Sequence, residues 1–151
     1  MRQTTRINGK RAVITTSAKT GRVTVKEALP LEWELQAAQV RALRALPAYG
    51  RRFLLAGDMN ASKRGPRAQA QDTATGMTSG EPDLRIYADG ARLLLIENKV
   101  GKARLLPAQV ARHAALAKLG HRVEVLRAVT PEDAAAQAVA MVLGFLEQGD
   151  V

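Results

Sequence analysis

The chain is expected to fold as one α/β domain, a central mixed sheet flanked by helices, with a short basic segment ahead of it. Three observations predict this. The 151 residues, 46% of them hydrophobic and 25% charged, suit a single packed core. Two apolar runs, 83–88 and 92–100, flank Asp89-Gly90, a strong hairpin signal. Beyond them, helical and strand-like segments alternate, so the order from residue 30 onward reads helix, three strands, helix, strand, helix.

Each element has its own signal. Residues 1–29 form a basic arm or hairpin, because 12–26 alternate β-branched and polar residues around Lys19-Thr20-Gly21. The domain proper, 30–151, opens with a helix from about Pro30 to Leu46. Its stripe is Leu35, Ala38, Ala42, Leu43 and Leu46, and Pro47 stops it. Residues 52–56 are a short strand. Residues 57–80, rich in Gly, Ala, Ser, Thr and basic side chains, are expected to be a long functional and mobile loop. After the hairpin, Pro107 fits the first turn of a helix that ends at Gly120. Residues 122–127 make a strand with Val123, Val125 and Val129 facing one way. Thr130-Pro131-Glu132-Asp133 then starts a capped final helix with acids in its first turn.

Composition narrows the chemistry. The absence of cysteine excludes disulfides, thiolate zinc sites and cysteine nucleophiles, and it suits a reducing cytoplasm. No apolar run approaches the ~20 residues of a membrane span, and the N-terminus lacks a signal-peptide core. A soluble cytoplasmic protein without a membrane partner is expected. The net charge is +9, and it is unevenly spread. Residues 1–30 hold seven basic side chains and one acid, whereas 131–151 hold four acids and no base. Such a basic face is a usual footprint for nucleic acid.

The hairpin concentrates the reactive groups. With a three-residue loop, 89–91, Asp83 lies opposite Glu97 on one face, while Leu84–Ile96 and Ile86–Leu94 pair on the other. A two-residue loop would divide the carboxylates between faces, and the apolar pattern alone does not choose. Glu97 and Lys99 share a face in either register. Buried charges must be paired or hold a metal. Two carboxylates beside a lysine therefore point to a Mg²⁺ or Mn²⁺ site suited to phosphodiester cleavage, with Lys99 orienting water or neutralising developing charge. A surface ion pair between Glu97 and Lys99 is the plainer alternative. Asn98 between them predicts a less buried opposite face.

These residues carry a resemblance. Gly-x-Pro-Asp, a strand, then Glu-x-Lys after a hairpin is similar to the PD-(D/E)xK nuclease superfamily. Within it, the chain resembles the virus-type replication-repair nuclease (VRR-NUC) branch. The matching residues are Glu32 and Gln36; Asn60, Lys63 and Arg64; Gly76, Gly80, Pro82, Asp83 and Leu84; Ile96, Glu97 and Lys99; and Gln109. Together they cover about residues 30–147. The resemblance implies a restriction-endonuclease-like core in αβββαβ order. It also implies Asp83 and Glu97 as metal ligands, Lys99 as the catalytic lysine, and Glu32 as a further ligand or metal-water contact. Glu34 competes with Glu32 for that role. Gln109 would position Lys99 or the attacking water. At the position of His113, some exonuclease relatives carry Tyr.

Other side chains complete the expectation. Lys63, Arg64 and Arg67, with Arg51, Arg52, Lys102 and Arg104, would grip phosphates on either side of the cut. Aromatics make up only 3%, which disfavours a base-stacking platform and favours backbone recognition of duplex or branched DNA. Trp33 is expected to be a packing residue, and His113 and His121 surface or helix-end residues. The resemblance implies a small metal-dependent endonuclease, like a Holliday-junction resolvase, acting as a homodimer, with phage or prophage origin a natural setting. A non-specific or nicking duplex endonuclease, or a catalytically silent DNA-binding module, are the alternatives.

Overall fold

The strand that organises the molecule is the one whose sequence is least polar at its start and most charged at its end. The structure, a computed structural model, describes residues 1–58 and 65–149. Asn60, Lys63 and Arg64 lie outside the described residues. Two sheets and four helices are present among the described residues. The first sheet joins β1 (Arg2–Ile7), β2 (Lys10–Thr16) and β3 (Val23–Glu27), antiparallel in that order. The second has the order β4 (Phe53–Gly57), β5 (Leu84–Ala88), β6 (Arg92–Val100), β7 (Val123–Ala128). The first three of these strands pair antiparallel, and β6 pairs parallel with β7. The helices are α1 (Glu32–Arg44), α2 (Pro66–Ala74), α3 (Pro107–Lys118) and α4 (Pro131–Glu147).

Parallel pairing of β6 with β7 requires a crossover, and α3 supplies it. The core lies on the other side of the sheet, against α1 and α4. Buried positions on α4 recur every four residues, at Ala134, Ala138, Val142 and Leu146; α1 contributes Leu35 and Leu43. They pack on Phe53, Leu84, Ile86, Leu94, Ile96 and Leu126. The alanines on α4 let two helices sit side by side on one face of a four-stranded sheet. The Thr130 hydroxyl accepts from the Asp133 amide at 3.1 Å and caps α4 as its sequence predicts. No helix among the described residues is long and apolar enough to cross a membrane.

The hairpin adopts the three-residue loop. Leu84 faces Ile96 and Ile86 faces Leu94, with Ala91 in the left-handed region at φ 56°. Arg92 and Arg52 converge on Asp89 and on the last turn of α4, closing this end of the sheet (Arg52 Nε–Asp89 Oδ2 2.8 Å). Arg52 therefore belongs to the fold rather than to a phosphate grip.

Three expectations need correction. Residues 66–74, read as loop, form α2. It begins Gly65-Pro66, a sound helix start, but it buries none of its residues and so shows no apolar stripe. Strand β1 was not anticipated, since all six of its residues are exposed and carry no alternation. On β7, Val123 and Val125 share a face as expected, and the residues turned into the core, Leu126 and Ala128, lie on the other. Asn98 does not mark a less buried face. It is fully buried, and Gln39 of α1, also fully buried, donates its Nε2 to Asn98 Oδ1 at 2.7 Å.

That amide pair ties the end of β6 to the middle of α1. Its remaining atoms, Gln39 Oε1 and Asn98 Nδ2, are buried without hydrogen-bond partners. A half-satisfied polar pair in a core costs stability, because its unpaired atoms have lost water without gaining a partner. Gln39→Leu, which strands Asn98, is expected to destabilise the protein by about 1–3 kcal/mol in chemical denaturation. Adding Asn98→Leu is expected to recover most of that loss. A double variant as unstable as the single would show that the pair contributes more than its own satisfaction.

Candidate active site

Alternation along β6 sends Asn98 to the α1 side and Glu97 and Lys99 to the other. Residues 94–99 are all buried, so these two charged groups are held inside the protein at the strand's C-terminal end. The side chains that meet them come from two helices, α1 and α3. Glu32, the first residue of α1, accepts from Lys99 Nζ at 2.9 Å, and Glu97 Oε1 lies 3.2 Å from the same nitrogen. On α3, Gln109 donates Nε2 to Glu97 Oε1. Its own Oε1 accepts from the Leu106 amide at 2.9 Å, so the cap of α3 aims the Gln109 side chain.

Asp83 sits just before β5, facing the position of Glu97 across the ladder. Its Oδ2 accepts from the Asn98 amide at 2.7 Å, and its carbonyl accepts from Gln36 Nε2 at 3.2 Å and from the Asp58 amide at 2.9 Å. The approach to Asp83 is tight. Gly80 has φ +80° and touches the backbone of Ala108 and Gln109, where any β-carbon would overlap. This contact seats the Asp83 loop against the start of α3. Glu81 reinforces it by pairing with Arg112 at 2.7 Å and with Arg85 at 3.6 Å.

Electrostatics reflect crowding of like charge. Burial, and then the Asp83 carboxylate, push Glu97 up to about 7, against the pull of Lys99. Asp83 is raised for the same first reason, burial, with Glu32 adding to it and the Asn98 hydrogen bond opposing. Burial pulls the Lys99 ammonium down, but hydrogen bonds and charge from Glu32 and Glu97 outweigh it and leave Lys99 raised. Three carboxylates thus share one ammonium. Among the described residues, no three His, Asp or Glu side chains close on a single metal position in this arrangement. The donor chemistry nevertheless suits a hard divalent cation, because the donors are carboxylate oxygens and Glu97 Oε2 is buried without a hydrogen bond.

Sequence reasoning missed two side chains here. His113, expected at the surface, is largely buried one turn after Gln109, with Nε2 3.6 Å from Glu97 Oε2. Burial and then Lys99 lower its pKa, so it faces Glu97 as a neutral imidazole. Its spacing of four from Gln109 was the available signal. Trp33 is not a packing residue. It is 63% exposed and lines a cleft of about 1240 Å³ with Glu32, Asp83, Lys99 and Gln109, opposite Gln69 and Thr73 of α2.

The remaining expected residues divide clearly. Glu32 reaches the site, whereas Glu34 turns back to the Leu31 amide at 2.7 Å and to Arg11 at 3.8 Å. Gln36 touches the Asp83 carbonyl rather than a carboxylate. Arg67 is exposed in the first turn of α2, and Lys102 and Arg104 are exposed on the loop between β6 and α3.

No family model matches the sequence, and neither does any curated protein. Among solved structures, a VRR_NUC domain protein is similar at 26% identity with a TM-score of 0.51, over 73% of this chain and 88% of that one. The chain has a VRR-NUC-like fold, a mixed four-stranded sheet flanked by helices in the restriction-endonuclease-like arrangement.

Proposed function

We propose that this protein is a nuclease that hydrolyses DNA phosphodiester bonds with Mg²⁺ or Mn²⁺, acting on branched DNA as a homodimer. The observation that carries the reading is the meeting of Asp83, Glu32 and Lys99 in the lining of one cleft, with the buried Glu97 carboxylate against Lys99. Asp83 and Glu97, with Glu32, would hold the cation. When bound, the cation supplies Lewis-acid polarisation of the phosphate and a more acidic water.

The chain's own groups do the rest. Lys99 stays protonated between two carboxylates, fixed in place to orient the attacking water or to neutralise charge on the phosphate oxygens. Gln109 holds one oxygen of Glu97 and leaves the other toward His113. The exposed cations Arg67, Lys102 and Arg104 would contact backbone phosphates flanking the cut. Paired cuts in a four-way junction need two active sites, hence the dimer. Light scattering that finds a monomer while junctions are still cut in pairs overturns that part.

The deciding experiment is cleavage of labelled four-way junction, flap and plain duplex in Mg²⁺, Mn²⁺ or EDTA. Wild type is expected to cut only with a cation and to prefer the junction. Preference for plain duplex would assign a general or nicking endonuclease. Glu97→Ala and Lys99→Ala are each expected to lower the rate by about 10²-fold or more while still binding DNA. Wild type that binds all three substrates and cuts none would make this a binding module.

Two further outcomes follow from the site. In EDTA, Glu97 is protonated in the folded state up to about pH 7 but only to about 4.5 when unfolded. The folded state binds the extra proton, so stability is greatest below pH 4.5 as far as this group is concerned and is lost as pH rises through 7. Glu97→Gln is therefore expected to be more stable than wild type at pH 8 in EDTA, by denaturant titration, with the difference vanishing near pH 4. Trp33 is the sole tryptophan. Its emission is expected to change when DNA enters the cleft, and an unaltered spectrum at saturating DNA would place the substrate elsewhere.

A further inference from the structure

The N-terminal sheet sorts its side chains by face. The register pairs Arg2 with Thr15, Thr4 with Val13 and Arg6 with Arg11 between β1 and β2. It pairs Val13 with Lys26 and Thr15 with Thr24 between β2 and β3. Directly opposed residues share a face, so Arg2, Arg6, Arg11 and Lys26 all stand on one side of the sheet. The only carboxylate in the segment, Glu27, opposes Ala12 on the other side, where it pairs with Lys10 at 3.6 Å. That other side also carries Ile7, Ile14 and Val25. Separation of four cations from the single acid is a property of the register, not of composition alone.

The cationic face is concave. A depression of about 650 Å³ is lined by Arg2, Arg11, Lys26 and the hydroxyl-bearing Thr4, Thr15 and Thr24, and residues 27–29 close one end. Arg2, Arg6 and Lys26 are exposed and have no carboxylate partner among the described residues. Arg11 reaches Glu34 at 3.8 Å and the Leu29 carbonyl at 3.5 Å, which docks this face on the first turn of α1. Glu32 of the active site lies on the same turn, about 200° around the helix at 100° per residue. The cationic face and the reactive groups therefore meet different sides of the same helical turn.

We infer that this face is a second contact surface for the phosphodiester backbone of duplex DNA, gripping the substrate away from the scissile bond. The inference rests on the nuclease reading for its partner and adds the surface that would hold the duplex arm. Charge is what selects the occupant: the guanidinium groups of Arg2 and Arg6 and the Lys26 ammonium, with interspersed hydroxyls, match phosphate oxygens, while Arg11 is held by Glu34 and Glu27 borders one end of the depression. Because such contacts release condensed counterions, they carry a measurable salt signature independent of cleavage.

The test is fluorescence anisotropy of a labelled duplex in EDTA across a salt series, using the full chain. Each phosphate contact adds about 0.9 to the slope of log affinity against log salt, so Arg2→Ala/Arg6→Ala/Lys26→Ala is expected to reduce that slope by about 2 to 3. The charge-preserving Arg2→Lys/Arg6→Lys/Lys26→Arg is expected to keep it. Lys10→Ala/Lys19→Ala/Lys118→Ala, which removes the same charge away from the face, is expected to leave it nearly unchanged. Equal flattening by both alanine triples would reduce the effect to net charge and overturn the inference, as would an unchanged slope in the first. Thermal melting checks that each variant is folded. Wild type that binds with the expected slope but never cuts would sink the nuclease reading while leaving this surface intact.

Discussion

Everything in this molecule answers to one constraint: the central strand β6 is buried on both faces and ends in Glu97-Asn98-Lys99. A strand of this kind normally continues apolar to its end. Here the polar triplet must be compensated on both sides at once. Gln39 reaches Asn98 from α1, and Gln109, His113 and Glu32 gather on Glu97 and Lys99 from α3 and from the start of α1. The two helix layers are thereby tied to the same three residues of the strand. Desolvating charges costs several kcal/mol each unless partners are well placed. The site is thus a local sacrifice of stability, sustained by the aliphatic core of α1, α4 and the sheet.

How much of this the sequence discloses depends on whether a residue's partner is near it in the chain. The hairpin was legible because Asp89-Gly90 marks the turn and the apolar pairs align around it. Its register was not, since both loop lengths pair apolar with apolar. The structure resolves the ambiguity through Ala91 in the left-handed region, a cost no composition rule anticipates. Helix α2 and strand β1 escaped because they bury nothing, and periodicity reports burial rather than backbone geometry. Asn98 was misread for the opposite reason. Its partner lies 59 residues away on α1, so a polar residue in a buried run looked like a step toward solvent.

The site residues divide along the same line. Asp83, Glu97, Lys99 and Gln109 stand in a recognisable spacing, and the structure gathers all four. Glu32 and Glu34 are chemically alike and two residues apart. Only helix phase and the Arg11 contact separate the one that meets Lys99 from the one that caps α1. His113 and Trp33 are single residues of types that serve many roles, and nothing local distinguishes an inward imidazole or an outward indole. The uneven charge of the chain was plain in the composition. That its basic groups occupy one face of β1, β2 and β3 follows only from the pairing register.

The bond between Lys99 and Glu32 spans 67 residues, whereas Asp83 and Glu97 meet within one hairpin. Closing the longer loop is the slower event, because non-local contacts become favourable only after their chain entropy has been lost. It also waits on α4, which shares the core that holds α1 to the sheet. During synthesis the two carboxylates can therefore come together well before their lysine is restrained. The restrained ammonium is therefore completed late, after the C-terminal helix has docked, and a partly folded chain lacks it.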